Sequence, residues 1–299
     1  MFEEDMQTVS VIIPTLNAGA DLDRLIKMLS AQTYSVSEII VVDSESDDDV
    51  FITCQDYSFV QLIRIKREDF DHGKTRDMAF GRTKGSIVVF LTQDCLPADK
   101  HFIERLIEPL KNERIAVSTG RQLPKPDASE IEKLIRYYNY PAEECERSSK
   151  DISTYGIKTF FCSDVCAAYR RDLYYKIGGF DYPIKTNEDM FFAAKAIHAG
   201  YSIMYAANAQ VFHSHNLSLL EQYKRNYIQG YEIERHRNIL YGVSQNKEGI
   251  RFVKFVSGQL IKGKKYLSLI HFAFDCMARL LGSKMGMLKA RFERKQTGN

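Results

Sequence analysis

Tryptophan is missing from the 299-residue chain, although Tyr and Phe are plentiful. Other absences exclude more. The six cysteines (Cys54, Cys95, Cys145, Cys162, Cys166 and Cys276) form no C-x-x-C pair and are scattered through apolar stretches. That spacing speaks against a zinc ribbon and a disulfide framework, and it predicts a reducing, cytoplasmic setting. Neither G-x-G-x-x-G nor G-x-x-x-x-G-K-[ST] occurs, which argues against dinucleotide oxidoreductases and P-loop enzymes. Long apolar runs are also wanting. The most apolar late segment, YLSLIHFAFDCMARLL, holds His271, Asp275 and Arg279 and is too short to span a bilayer. The opening MFEEDMQTV is acidic and lacks the basic and apolar blocks of a signal peptide. Internal repeats and low-complexity tracts are absent.

What is present is an ordinary globular composition, 44% hydrophobic and 27% charged, on a chain long enough for one large domain or a domain with an appendage. The net charge of +2 gives no sign of a nucleic-acid partner, but its distribution is uneven. From Arg251 onward eleven Lys or Arg stand against Asp275 and Glu293, a net +9 that leaves −7 for the first 250 residues.

The first half alternates strand-like and helix-like segments. Val9 to Thr15, Ser37 to Ser44, Phe59 to Ile65 and Gly85 to Asp94 read as strands. Asp21 to Gln32, Thr75 to Thr83 and Asp99 to Asn112 read as helices. Continuous Val/Ile strands in β-α-β succession predict an α/β fold with a mainly parallel sheet covered on both faces. Farther on, GRQLPKPDASE reads as a Pro-bearing loop, EIEKLIRYYNY as a helix and AEECERSSKDISTYG as a polar, mobile stretch. FFCSDVCAAYRR and YSIMYAANAQVFHS read as strands, and between them Asn187 is placed to cap a helix ended by Gly200. Beyond Ser218 the pattern is helical, with basic faces.

In an open α/β sheet, ligands bind beyond the carboxyl ends of the strands. Three such ends here are polar: Thr15 and Asn17, Asp43 and Ser44, and Gln93 and Asp94. A carboxylate such as Asp94 suits a divalent cation, which takes hard oxygen ligands and bridges phosphates; alone, it reads equally well as a turn before Pro97. Asp43 is placed to accept hydrogen bonds from a ribose or base, or else to sit in a solvated acidic loop. In FDHGKTRD, Lys74 and Arg76 offer positive charge at a helix start, as surface residues often do. Asn187-Glu188-Asp189 fits either favourable acids at a helix N-terminus or a general base. His213 and His215 end a strand, where imidazoles serve as metal ligands or as plain structural side chains.

Taken in order, VIIPTLN, VVDSES, HGKTRD, FLTQDCLP, CAAYRRDLYYKIGGFD, NED and VFHSH resemble the inverting glycosyltransferases of family 2, which have the GT-A fold. The resemblance covers roughly residues 8 to 230. FDHGKTRD, TQD and HSH look most like the bacterial rhamnosyltransferases of that family, which build cell-surface polysaccharides. It implies that Thr15, Asn17 and Asp43 surround the nucleotide, with Lys74, Arg76, Asp77, Gln93 and Arg225 also on the donor. Asp94 matches the last carboxylate of the D-x-D metal motif, whose first position is Thr92 here. His213 matches an imidazole that holds metal or pyrophosphate, with His215 a second, and Asp189 matches the catalytic base. The implied cofactor is Mg²⁺ or Mn²⁺. The implied partners are a nucleotide-sugar donor, dTDP-L-rhamnose or a UDP-hexose, and a saccharide or lipid-linked acceptor. QYKRN keeps the Gln and Arg of the polymerising Q-x-x-R-W motif without its Trp, so transfer of one or a few sugars is expected.

The expected organisation is a transferase domain over residues 1–217 and a helical, basic region over 218–299. That region reads as a solvated helix face, a surface for peripheral membrane contact, or a site of homo-oligomer formation. The rival classes are a sugar-nucleotide nucleotidyltransferase and a non-catalytic scaffold. The first wants a basic, Gly-rich loop after the first strand, where PTLNAGADLD has no Lys or Arg; the second is favoured only by Gln93 inside the metal motif.

Overall fold

The computed structural model describes residues 7–242 and 246–297, so Met1 to Met6 of the acidic opening lie outside the described residues. The chain begins β1 (Val9–Thr15), α1 (Ala20–Ser30), β2 (Glu38–Asp43), α2 (Val50–Gln55), β3 (Val60–Arg64), α3 (His72–Phe80) and β4 (Ile87–Leu91). Next come β5 (Leu96–Pro97), α4 (Phe102–Ile107), β6 (Ile115–Leu123), α5 (Glu130–Asn139), β7 (Cys145–Arg147) and α6 (Ile152–Tyr155). β8 (Cys166–Arg170), α7 (Arg171–Ile177), α8 (Glu188–His198) and β9 (Ser202–Phe212) complete the sheet, and α9 (Leu219–Arg235), α10 (Asn246–Lys262) and α11 (Tyr266–Thr297) follow.

All the strands join one sheet in the order β3-β2-β1-β4-β8-β6-β9-β5, with β7 on β9. β1 to β4 are parallel, as their uninterrupted Val/Ile runs require. Alternate side chains serve opposite faces. Val11, Ile13, Val41 and Val89 pack with Leu22, Leu25, Ile26 and Phe102 on one side. Ile12, Ile40, Val88 and Phe90 pack with Phe80, Tyr174 and Phe192 on the other. Each such aliphatic side chain contributes about 1.5–3 kcal/mol when fully buried. The later half is mixed: β8 runs antiparallel to both β4 and β6, and β9 runs parallel to β6.

Three local readings change. IAVSTGRQL forms β6, so Gly120 to Leu123 are strand rather than loop. The polar stretch read as mobile instead supplies β7, paired with β9, and α6. α3 starts at His72, earlier than expected, because the Asp71 carboxylate caps it by accepting the Lys74 N–H at 2.9 Å. A side chain at Gly73 would strike the Asp181 carbonyl oxygen, and that close approach ties α3 to the 181–184 turn. Asn187 occupies the N-cap position of α8 in a left-handed conformation, φ 67°, but its side chain makes no capping bond.

α9 and α11 lie against one another at glycine contacts: a side chain at Gly286 would strike the Tyr227 carbonyl oxygen. α10 and α11 also pack on α5 through Val256, Leu260 and Phe272, joining the helical region to the sheet's flank. Among the described residues, no helix is long and apolar enough to cross a membrane.

Candidate active site

Placing β1 between β2 and β4 brings the three polar strand ends side by side. Gln93 locks two of them together: its Oε1 accepts the Leu16 N–H at 2.7 Å and its Nε2 donates to the Leu16 carbonyl at 3.0 Å. Thr15 donates to Asp43 at 3.3 Å, and Asp43 also accepts the Ser46 N–H at 3.2 Å and the Ser46 hydroxyl. Asn17, in a left-handed conformation, gives its N–H to Ser46 Oγ at 2.8 Å and accepts the Asp47 N–H at 2.9 Å. Thr15, Asn17, Asp43 and Gln93 thus form one interlocked floor.

At the end of β4, Asp94 meets the imidazoles expected from the sequence. Asp94 Oδ2 lies 3.4 Å from Nε2 of His213 and 3.4 Å from Nε2 of His215, with Lys125 Nζ at 3.6 Å. One ligand atom from each of Asp94, His213 and His215 falls within a 4.8 Å cluster. Burial would raise the Asp94 pKa, but His213, His215 and Lys125 outweigh it and hold the carboxylate below its ordinary range.

The support behind His213 decides its tautomer. Gln122 Oε1 lies 3.0 Å from His213 Nδ1 and accepts a hydrogen bond from Arg136 as well. An atom that faces an arginine must be the amide oxygen, so Nδ1 carries the hydrogen and Nε2 keeps its lone pair toward Asp94. Gln122 Nε2 donates to Ser163 Oγ at 2.9 Å, and Arg136 is fixed by Glu132 at 2.7 Å. Burial lowers the His213 pKa to about 3, so the ring is neutral at physiological pH. A neutral imidazole oriented by a second hydrogen bond is the form that binds a metal. One carboxylate and two imidazoles fit a divalent cation with open positions left for substrate oxygens.

Asp189, at the start of α8, sits in the opposite electrostatic setting. Its Oδ1 accepts the Met190 N–H at 2.7 Å and its Oδ2 accepts the Asp164 N–H at 3.0 Å. Burial, followed by the negative charge of Glu188, raises its pKa to about 7. Arg76 is buried beneath it, 3.2 Å from Glu188 and 3.4 Å from Asp164. Burial would raise Glu188, but Arg76 and His72 prevail and bring it to about 2. Asp164, which accepts the Tyr169 hydroxyl at 2.6 Å, is pushed well above the usual carboxyl range by burial and by Asp189. A carboxyl poised near neutrality can take a proton from a hydroxyl.

Three consecutive residues join the two settings. Ser163 receives Gln122, the Asp164 N–H holds Asp189, and the Val165 carbonyl accepts the Thr92 N–H at 3.2 Å. Asp94 and Asp189 therefore belong to one neighbourhood. The other anticipated residues divide. Lys74 is exposed on the first turn of α3, and Arg225 is exposed on α9, near Arg136 and Tyr140. Asp77 is engaged by the Tyr174 hydroxyl at 2.9 Å, and Arg76 lies on the Asp189 side of the site. A cavity of about 340 Å³ adjoins the metal-type cluster, lined by His215, Glu132, Gln222, His271 and Asp275. A larger one of about 790 Å³ lies between α4 and β9 and touches none of these residues.

The sequence reading missed Gln122, Lys125, Ser163 and Asp164. The first two lie within the stretch taken for a loop. Asp164 did leave a signal, a lone carboxylate inside the apolar FFCSDVCAAY, where a charge is rare unless paired.

Comparison with known proteins agrees with this geometry. Residues 10–178 match the family described as Glycosyl transferase family 2. The O-antigen chain rhamnosyltransferase RfbN of Salmonella typhimurium is 35% identical, over 93% of this chain and 89% of its own. WbaN of Salmonella anatum, also an O-antigen chain rhamnosyltransferase, is 35% identical over 94% and 90%. Among solved structures, the mannosyltransferase PcManGT of Pyrobaculum calidifontis, in complex with GDP-Man and Mn²⁺, superposes with a TM-score of 0.66 at 14% identity. That superposition covers 97% of this chain and 89% of the other. A family match over more than half the chain, relatives spanning nearly all of it and a shared GT-A sheet lead to one conclusion: the chain belongs to glycosyltransferase family 2.

Proposed function

We propose that this glycosyltransferase moves L-rhamnose, with inversion, from a nucleotide-linked donor such as dTDP-L-rhamnose to a hydroxyl of a saccharide or lipid-linked acceptor. The product would belong to a bacterial cell-surface polysaccharide. The observation that carries the reading is the joining of the Asp94–His213–His215 cluster to Asp189 through residues 163–165. The choice of rhamnose is supported by the two relatives named for that transfer.

Asp94, His213 and His215 would hold the divalent cation, which supplies positive charge to the departing diphosphate. Two imidazoles beside one carboxylate suit Mn²⁺ better than the all-oxygen preference of Mg²⁺. Thr15, Asn17, Asp43 and Gln93 form the floor for base and ribose, and Lys74 and Arg225 supply cations for the phosphates. Arg76, through Glu188 and Asp164, steadies the charge around the base. Asp189 takes the proton from the acceptor hydroxyl as that oxygen bonds to the anomeric carbon. The bond from carbon to the diphosphate oxygen breaks on the opposite face, and the nucleoside diphosphate leaves with the electron pair. Such base catalysis contributes about 10²- to 10⁴-fold. Residues 1–217 form the transferase unit in this reading, with 218–299 as its helical extension.

Thermal shift across a panel of nucleotide sugars with Mn²⁺ tests the donor, since a ligand that binds only the folded state raises its melting temperature. The largest shift is expected for dTDP-L-rhamnose. A larger shift with a UDP-hexose would replace rhamnose by that sugar.

A further inference from the structure

α11 spends only part of its circumference on the rest of the molecule. Phe272 and Ala290 are buried, and Gly282 and Gly286 meet α9. The outward face is apolar. Leu267, Ile270, Phe274 and Met277 line its first half, at the three- and four-residue steps that keep one helical face. Leu281, Met285, Leu288 and Phe292 continue the row, and the eight side chains are between 48% and 85% exposed. At 1.5 Å per residue the row runs for about 38 Å.

Charge beside the row is mostly positive. Lys284 and Arg291 border the row on one side and Lys289 on the other, with Lys295 near its end. The acids near the row are all paired: Asp275 accepts from Arg279 at 2.6 Å, Glu293 accepts from the Tyr231 hydroxyl of α9 at 2.7 Å and lies 3.1 Å from Lys289, and Glu234 of α9 lies 3.1 Å from Arg291. A second copy pressed in parallel register against the same face would set cations against cations. A layer of anionic headgroups over acyl chains answers both the apolar row and its borders.

We propose that α11 lies flat on an anionic lipid bilayer, with the Leu267-to-Phe292 row inserted at the acyl boundary and the bordering cations on lipid phosphates. Asp275 and His271, on the shoulder of the same helix, line the cavity that reaches His215. A docked α11 therefore holds the site beside the lipid surface. The inference stands apart from sugar transfer, because its readout is vesicle binding rather than turnover.

The test is co-sedimentation of the full chain with phosphatidylglycerol-rich vesicles and with pure phosphatidylcholine vesicles. The bound fraction is expected to fall at least about tenfold on phosphatidylcholine and in high salt. The double substitution Leu281→Glu and Leu288→Glu is expected to give a similar loss on the anionic vesicles, with unchanged melting because both side chains are more than half exposed. Lys284→Glu should weaken binding without touching the apolar row, which separates docking from misfolding. No pelleting with anionic vesicles, or pelleting that survives the double substitution, would overturn the proposal. So would a wild-type dimer, seen by light scattering, that the double substitution dissolves while vesicles capture neither form.

Discussion

Asp94 and Asp189 are both half-buried carboxylates, joined by the same three-residue segment, yet their acidities move in opposite directions. Asp94 faces two imidazoles and the Lys125 ammonium, and it is held below the ordinary carboxylate range. Asp189 shares its pocket with Glu188 and Asp164, and burial with like charge brings it to about 7. The backbone N–H groups of Asp164 and Met190, and Arg76 below, soften that rise without cancelling it. In the proposed mechanism the contrast separates two tasks: a permanently charged group would retain a cation, and a group near neutrality would accept a proton and later release it. Neighbours, rather than the side chain itself, assign the role.

The largest break in this comparison should come from Asp189→Asn, with transfer falling about 10²- to 10⁴-fold in a fixed-time assay. The fold should survive it. Asp189 has a pKa of about 7 in the folded state against an ordinary 3.8, so the folded protein holds the extra proton between those values. Its contribution to stability is therefore lost as pH rises toward 7. Asp189→Asn removes that loss, and its melting temperature at pH 8 should be no lower than that of the wild type.

Gln122→Leu acts on the other half alone. Without the acceptor on His213 Nδ1, metal affinity should drop about 10- to 100-fold by titration with Mn²⁺, while the acid limb of the pH–rate profile stays in place. Glu188→Gln does the reverse. Removing a like charge beside Asp189, and freeing Arg76 to face it, lowers the base's pKa, so the acid limb moves to lower pH with metal affinity unchanged. The smallest effect belongs to Gln93→Ala. Losing the two bonds to Leu16 should cost about 0.5–1.5 kcal/mol in urea unfolding, with donor KM raised and kcat little changed.

The parallel half of the sheet was legible because buried strands and amphipathic helices leave strong periodic marks. β1 begins and ends where its hydrophobic run does. β6 was not, since Gly120 and the polar Ser-Thr and Arg-Gln pairs hide a strand whose partners β8 and β9 are distant in sequence. The same difference governs the site. Asp94, Asp189, His213 and His215 stood out by their places at element ends, and the family resemblance supplied their roles. Gln122, Ser163 and Asp164 act through contacts that only tertiary packing creates, so no spacing announces them. Gln93 shows a third case: a residue at the middle of the metal motif, expected on the donor, is the clamp between two strand ends.

The division of labour between the carboxylates is tested most directly by calorimetric titration of the nucleotide-sugar donor into Asp94→Asn and Asp189→Asn, each with and without Mn²⁺. Asp189→Asn should bind donor as the wild type does and keep the metal dependence, whereas Asp94→Asn should lose the gain that Mn²⁺ provides. Metal-dependent binding retained by Asp94→Asn and lost by Asp189→Asn would contradict the assignment of cation to one and proton to the other.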